Sequence, residues 1–236
     1  MAPEEILAAV FGPLQWTTAT GLSREAHTSY REQPLTIKRT HSVKWGYYST
    51  SLELRLTRPI EIHLLPADTN TRQEYAPLVD TGDPAFHAKY RVRGSPPQLI
   101  ARALDPALRR RLLETPIYPG TLNKVLDVNI SRGVEGAEPK RNAAGLLRGW
   151  AGEGDASLAR ARVELFFDLV EGIQSQVDQT VQHVEATEGP AAAQAWMSEQ
   201  DAAIGRARSA KLRAVALAAI PAILLLAALL VWALLR

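Results

Sequence analysis

The chain has 236 residues, 27 basic and 25 acidic groups, a net charge of +2 and no cysteine. No cysteine means no disulfide framework, no thiolate zinc site and no cysteine nucleophile. The net charge hides an asymmetry. Residues 1–135 carry 17 basic and 14 acidic groups, residues 136–204 carry 5 and 11, and residues 205–236 carry 5 and none. The sequence pI near 9.0 therefore reflects a basic cluster close to the end of the sequence. Nucleic-acid binding is not expected, because it needs a basic face on the folded domain. The excess of Arg over Lys and the abundance of Ala match proteins of bacteria with GC-rich genomes.

In chain order, residues 3–10 form an amphipathic helix, with Pro3 in its first turn and Glu4 and Glu5 suited to the N-terminal dipole. From Leu35 the pattern changes to period two. LTIKRTHSVKW and YYSTSLELRL alternate around Gly46, and PIEIHLLP alternates again, as in an antiparallel meander. Trp16, Trp45, Tyr47 and Tyr48 suit a sheet core better than a stacking platform.

The stretch DTGDPAFHAKYRVRG begins with turn chemistry around Gly82 and Asp83, and Phe86 then opens a strand through Tyr90 and Val92. Asp80, Asp83 and His87 are also the one cluster that could serve metal-assisted hydrolysis. His27, His41, His63 and His183 lack ligand spacing and read as ordinary polar or half-buried groups. Next come two short helices. Ser95 caps the first, with Pro96 at its first position, and Asp105 with Pro106 starts the second. Leu99, Ile100, Ala103, Leu104, Leu108, Leu112 and Leu113 recur at helical spacing and face the sheet. Arg109–Arg111 form the solvated side, a phosphate or lipid contact being the sharper alternative. LDVNISR adds a strand, and the Gly- and charge-rich residues 133–157 read partly as a loop. The fold class is α+β: an antiparallel sheet with short packing helices, then a long amphipathic helix and one C-terminal transmembrane helix.

The run TGDPAFHAKYRVRG followed by LIARALDPALRRRLLE resembles a set of uncharacterised bacterial membrane-associated proteins. In them a T-G-D-P-x-F turn leads into a strand ending in glycine, then a helix with a D-P-x-L-R start. The likeness covers residues 35–170. It implies a compact α+β module near a membrane segment and no established activity. The relatives have Asp where this chain has His87, which weakens a catalytic role for that histidine.

The chain is expected to divide into a cytosolic α+β domain (1–150), a helix or stalk with heptad character (157–188), a juxtamembrane helix (190–211) and an anchor (212–235). In the stalk, Val163, Val170, Val177 and Val184 repeat every seven residues, with Phe166, Ile173 and Thr180 between them. This is an a/d pattern with β-branched a positions. The stripe can pair with copies of the chain, giving a homo-oligomer through 163–184, or pack on its own domain. Phe167 and Leu169 widen it near the start and favour the second. Glu188-Gly189-Pro190 ends the helix, and residues 191–210 can run on towards the bilayer.

Residues Ala214–Leu235 carry no charge; twelve are Leu, Ile or Val and eight are Ala. As a helix they make a rod of roughly 33 Å, enough for a hydrocarbon core of about 30 Å. The large aliphatic residues contribute on the order of −5 kcal/mol to insertion. Arg206, Arg208, Lys211 and Arg213 precede the span and Trp232 lies near its end. These flanks place the N-terminal domain on the cytosolic side. The start, MAPEEILAAVFGPL, has no basic region or cleavage site and reads as no secretory signal.

The expected protein is a tail-anchored, single-pass protein of the bacterial inner membrane. Its cytosolic domain is a binding or scaffold module for an unknown protein partner. The alternative is a metal-assisted hydrolase on Asp80, Asp83 and His87. No catalytic, cofactor-binding or metal-binding residue is assigned. The chain has no G-x-x-x-x-G-K-S/T, G-x-G-x-x-G, H-E-x-x-H or G-x-S-x-G motif.

Overall fold

The structure, a computed structural model, describes residues 3–21, 23–42, 47–56, 58–67, 76–115, 126–128, 141–148 and 156–206. Helix α1 (Pro3–Phe11) comes first. Strands β1 (Thr17–Thr20), β2 (Ser23–Tyr30), β3 (Gln33–Ser42), β4 (Tyr47–Leu56) and β5 (Glu61–Pro66) follow. Then come α2 (Pro84–Lys89), β6 (Tyr90–Ser95), α3 (Pro97–Ala103), α4 (Pro106–Glu114), β7 (Leu126–Val128), β8 (Arg141–Arg148) and α5 (Ala156–Glu188). A last helix, α6, occupies 190–206.

The eight strands form one sheet in the order β1-β2-β3-β4-β8-β7-β5-β6. Every pairing between them is antiparallel. The fold is therefore α+β on an antiparallel sheet, as the sequence indicates. Four local readings are corrected. The sheet begins before Leu35, with β1 and β2: SREAHTSY offers only Ala26 as a buried residue, too little apolar alternation to signal a strand. Phe86 lies in α2, because Asp83 caps that helix with Pro84 behind it, and the strand starts at Tyr90. Ser95 ends β6 rather than capping α3; Pro96 is the N-cap, without a side-chain bond, and the Ser95–Pro96 peptide is cis. Finally, β8 lies within the stretch read partly as a loop, paired along its length with β4. The readings of Trp45 and Ile130 fall outside the described residues.

One sheet face carries Ala26, Leu35, Ile37, Leu52, Leu54, Ile62, Leu64 and Val92, all buried. Helix α5 packs against α1, α3, α4 and β8, and Phe166, Phe167 and Tyr90 fill the same core. The sheet meets α3 at Gly94. A Cβ there would come 2.2 Å from the Glu61 carbonyl oxygen and 2.5 Å from Ile100 Cδ1, so this approach admits only glycine.

The heptad stripe lies inside the chain's own core. Val163, Phe166, Val170, Ile173 and Val177 are at most 2% exposed, and Val184 packs partly buried against the same cluster. A second copy of the chain would have to displace these contacts. The stalk reading is corrected too: α5 lies along the domain. Gly189, at φ +92°, caps α5 by donating to Glu185 O at 3.0 Å, the left-handed end that glycine favours. Helix α6 then adds Ala193, and partly Trp196 and Met197, to the α5 core. Among the described residues no helix is long and apolar enough to cross a membrane. The run Ala214–Leu235 lies outside them.

Candidate functional site

The turn before α2 does bring Asp80, Asp83 and His87 together, and each is engaged locally. Asp80 Oδ1 accepts from Gly82 N–H at 2.8 Å, the self-bonding that aspartate brings to turns. His87 Nε2 accepts from Thr81 N–H at 3.0 Å and lies 3.4 Å from Asp80 Oδ1. Asp83 Oδ1 accepts from Phe86 N–H at 3.0 Å, and Oδ2 accepts from Arg109 Nε at 3.0 Å. The Phe86 amide, then the Arg109 guanidinium, hold the Asp83 carboxyl below its ordinary pKa against the opposing effect of desolvation. A metal at this turn would have to displace the Thr81 amide and the Arg109 guanidinium. Among the described residues no group of three His, Asp or Glu is placed to hold a metal ion.

The arginine triplet of α4 divides its work. Arg109 also donates to Leu104 O at 2.8 Å and Thr81 O at 3.4 Å, so it staples the turn to the α3–α4 junction. Arg111 pairs with Asp168 of α5 at 2.5 Å. Arg110 is exposed. Arg111 is exposed as well, so Arg110 and Arg111 match the solvated face read from the sequence and the half-buried Arg109 does not.

Asp168 has a second arginine. The β2–β3 turn is a two-residue connection, Arg31-Glu32, with Tyr30 opposite Gln33 and φ values of 50° and 64°. Two non-glycine residues in the left-handed region are costly. Arg31 holds the turn against α5: it donates to Asp168 at 2.5 Å and Glu171 at 2.9 Å. Its guanidinium also lies 5.9 Å from the Tyr30 ring centre and 6.0 Å from that of Phe167. Burial acts to raise the Asp168 pKa, but Arg31 and Arg111 outweigh it, so the carboxyl sits below its ordinary value. The Asp168 bond leads the causes that raise Arg31.

Next to this clasp a polar groove of about 430 Å³ runs along α5, lined by Gln33, Glu171, Gln174, Ser175, Asp178, Gln179 and Gln182. Gln33 donates to Glu171 at 3.1 Å, and Arg58, from the β4–β5 connection, pairs with Asp178. The two acids are thus matched by Arg31 and Arg58. What remains is a wall of amides and a hydroxyl, with both donors and acceptors. Apart from Gln33 of β3, these residues are the polar positions between heptad valines, which a sequence reading leaves on the solvated side.

A second missed feature is buried. Glu61 and His63 are 1% and 2% exposed, with His63 Nε2 3.2 Å from Glu61 Oε1. They point away from Ile62 and Leu64, so β5 is covered on both faces. This corrects the half-buried reading of His63. The register sets His63 beside Arg93 on one side and Asp127 on the other. His27 and His183 are exposed as expected, and His41 is half-buried. Arg206, the last described residue of α6, is exposed. Arg208, Lys211, Arg213 and Trp232 lie outside the described residues.

No family model, curated protein or solved structure matches the chain, so its function is argued from its own residues.

Proposed function

We propose that the chain is a single-pass membrane protein whose cytosolic α+β domain is a binding module, with the amide-lined groove on α5 as its partner-facing surface. The uncharged run Ala214–Leu235 behind the basic residues Arg206, Arg208, Lys211 and Arg213 carries this reading. No other stretch of the chain is long and apolar enough to fill a bilayer. The positive flank favours the cytosolic side of a bacterial inner membrane.

Binding rather than turnover is supported by how Asp80, Asp83 and His87 are spent on backbone and arginine partners. The groove supports it from the other direction. Gln33, Gln174, Gln179 and Gln182 present uncharged donors and acceptors, which match the main chain or amide side chains of a protein partner.

Two measurements test this. Alkaline extraction of native membranes should leave the full chain in the pellet and release a chain ending at Gly205; release of both removes the anchor. Purification in mild detergent should then bring a stoichiometric protein partner. Gln174→Ala with Gln179→Ala should lose that partner at an unchanged melting temperature. A solitary full-length protein, or a partner indifferent to both substitutions, removes the binding module.

A further inference from the structure

The groove and the last helix meet at one side chain. Arg58 stands in the connection from β4 to β5. The two residues after it, Pro59 and Ile60, are buried, so the sheet holds its backbone. Its guanidinium reaches both helices. Nε donates to Asp178 of α5, and Nη1 donates to Met197 Sδ of α6 at 3.5 Å. Asp178 lines the groove. Met197 belongs to the stripe that α6 turns to the core, with Ala193 and Ile204 buried and Trp196 partly so.

The two bonds are unequal. The bond to the carboxylate is charge-assisted and strong, whereas a thioether sulfur is a weak acceptor. The guanidinium is planar and rigid, so its hold on Asp178 also decides where Nη1 points. A protein partner in the groove brings main-chain carbonyls next to this fork. A carbonyl oxygen is a better acceptor than the sulfur, so it takes the Nη1 proton from Met197 while Asp178 keeps Nε.

Helix α6 is held lightly enough to respond. It buries only Ala193 and Ile204, against ten side chains in α5. An element with few buried contacts sits at the low-stability end of a fold. It is joined to α5 through Gly189, at φ +92°. Beyond it, residues 207–213 are all that separate it from the uncharged run Ala214–Leu235.

Resting on the reading of the groove as the partner-facing surface, we propose that Arg58 couples the groove to α6. With Arg58 bridging Asp178 and Met197, α6 is docked on the domain. A protein partner in the groove draws the guanidinium to its own carbonyls and loosens α6. Linkage makes the effect reciprocal. Whatever loosens α6 frees Arg58 and strengthens partner binding by the same factor.

The chain has no cysteine, so Ser175→Cys gives a single labelling site in the groove. Residue 175 is exposed and lies three positions before Asp178, a spacing at which helical side chains are neighbours. N-ethylmaleimide attached there adds a ring flanked by carbonyls, a covalent stand-in for the partner. Hydrogen exchange of the α6 amides is then measured in the full-length protein in mild detergent, with the β3 amides as a control for global stability. The adduct should speed α6 exchange about fivefold, the lower end of ordinary couplings, and leave β3 unchanged. Met197→Leu keeps the apolar volume and removes the acceptor, so its α6 should exchange at one rate with and without the adduct. Arg58→Ala should show the same indifference. An adduct that leaves α6 exchange unchanged, or speeds it equally in Met197→Leu, overturns the coupling. If a purified partner is nonetheless lost on Gln174→Ala with Gln179→Ala, the coupling alone falls and the groove reading stands. If no partner responds to that pair of substitutions, the groove reading falls and the coupling with it.

Discussion

The two halves of α5 do different work within one continuous helix of 33 residues. From Ala159 to Ile173 the buried set includes Leu165, Phe167 and Leu169 as well as the heptad positions, and the helix touches α1, α3 and α4. From Val177 onwards only Val177 and Val181 are buried, with Val184 partly so, and Ala193, Trp196 and Met197 of α6 join the same cluster. A wide apolar face sits in a domain core, and a narrow one suffices for a single neighbouring helix. The seven-residue valine repeat runs through both halves unchanged. Its periodicity therefore reports that the helix packs, and the width of the stripe reports on what.

The largest test of that contrast is Phe167→Ala. The ring is fully buried, 4.8 Å from Tyr30 and 5.5 Å from Phe166 between ring centres. Its loss should cost about 3–5 kcal/mol in chemical denaturation. Val181→Ala, in the narrow half, should cost about 1.6 kcal/mol, two methylenes' worth of burial. Equal costs would erase the distinction between the halves. Arg31→Ala sharpens the picture at the junction. It removes partly exposed ion pairs and should cost about 1 kcal/mol, measured by the shift in denaturation midpoint.

The same clasp sets an acid limb. The Asp168 pKa is lowered in the fold, so its contribution is complete above the ordinary carboxylate value of about 3.9. It is lost as pH falls through the lowered one. Denaturation midpoints measured down this range should fall less steeply in Asp168→Asn than in the parent chain. The smallest effect belongs to Asp80→Ala. That side chain is 85% exposed, and the change in stability should stay within about 0.5 kcal/mol.

Much of the fold was legible where local chemistry is unambiguous. Asp105-Pro106 starts α4 as read, with Asp105 Oδ1 accepting from Leu108 N–H at 2.7 Å. The alternations of β3, β4 and β5 gave three strands, and Gly189-Pro190 gave the break between α5 and α6. The failures share a cause. β2 and β8 carry little apolar alternation, and their pairing is decided by neighbours distant in sequence. Asp83-Pro84 is equally good as a turn and as a helix start, and only the cap bond to Phe86 decides. In PIEIHLLP the polar alternates read as a solvent face, and nothing in those residues says that the second face of β5 is covered as well. The groove residues were hidden for a simpler reason: glutamines on a helix look solvated until Gln33, from another part of the chain, closes one side.

The strand order also governs how the molecule can be made. β4 and β5 are neighbours in sequence, yet β8 and β7 stand between them in the sheet. A chain emerging from the ribosome can pair β1 to β4 by successive local connections, and β5 with β6 separately. The two blocks stay unjoined until residue 148 is available, and the core stays open until α5 follows. Contacts of such long sequence separation slow folding, and unjoined strand edges are the exposed species that aggregate. Ribosome-bound chains stalled before β8 should thus be the ones that chaperones hold, with release following once α5 has emerged.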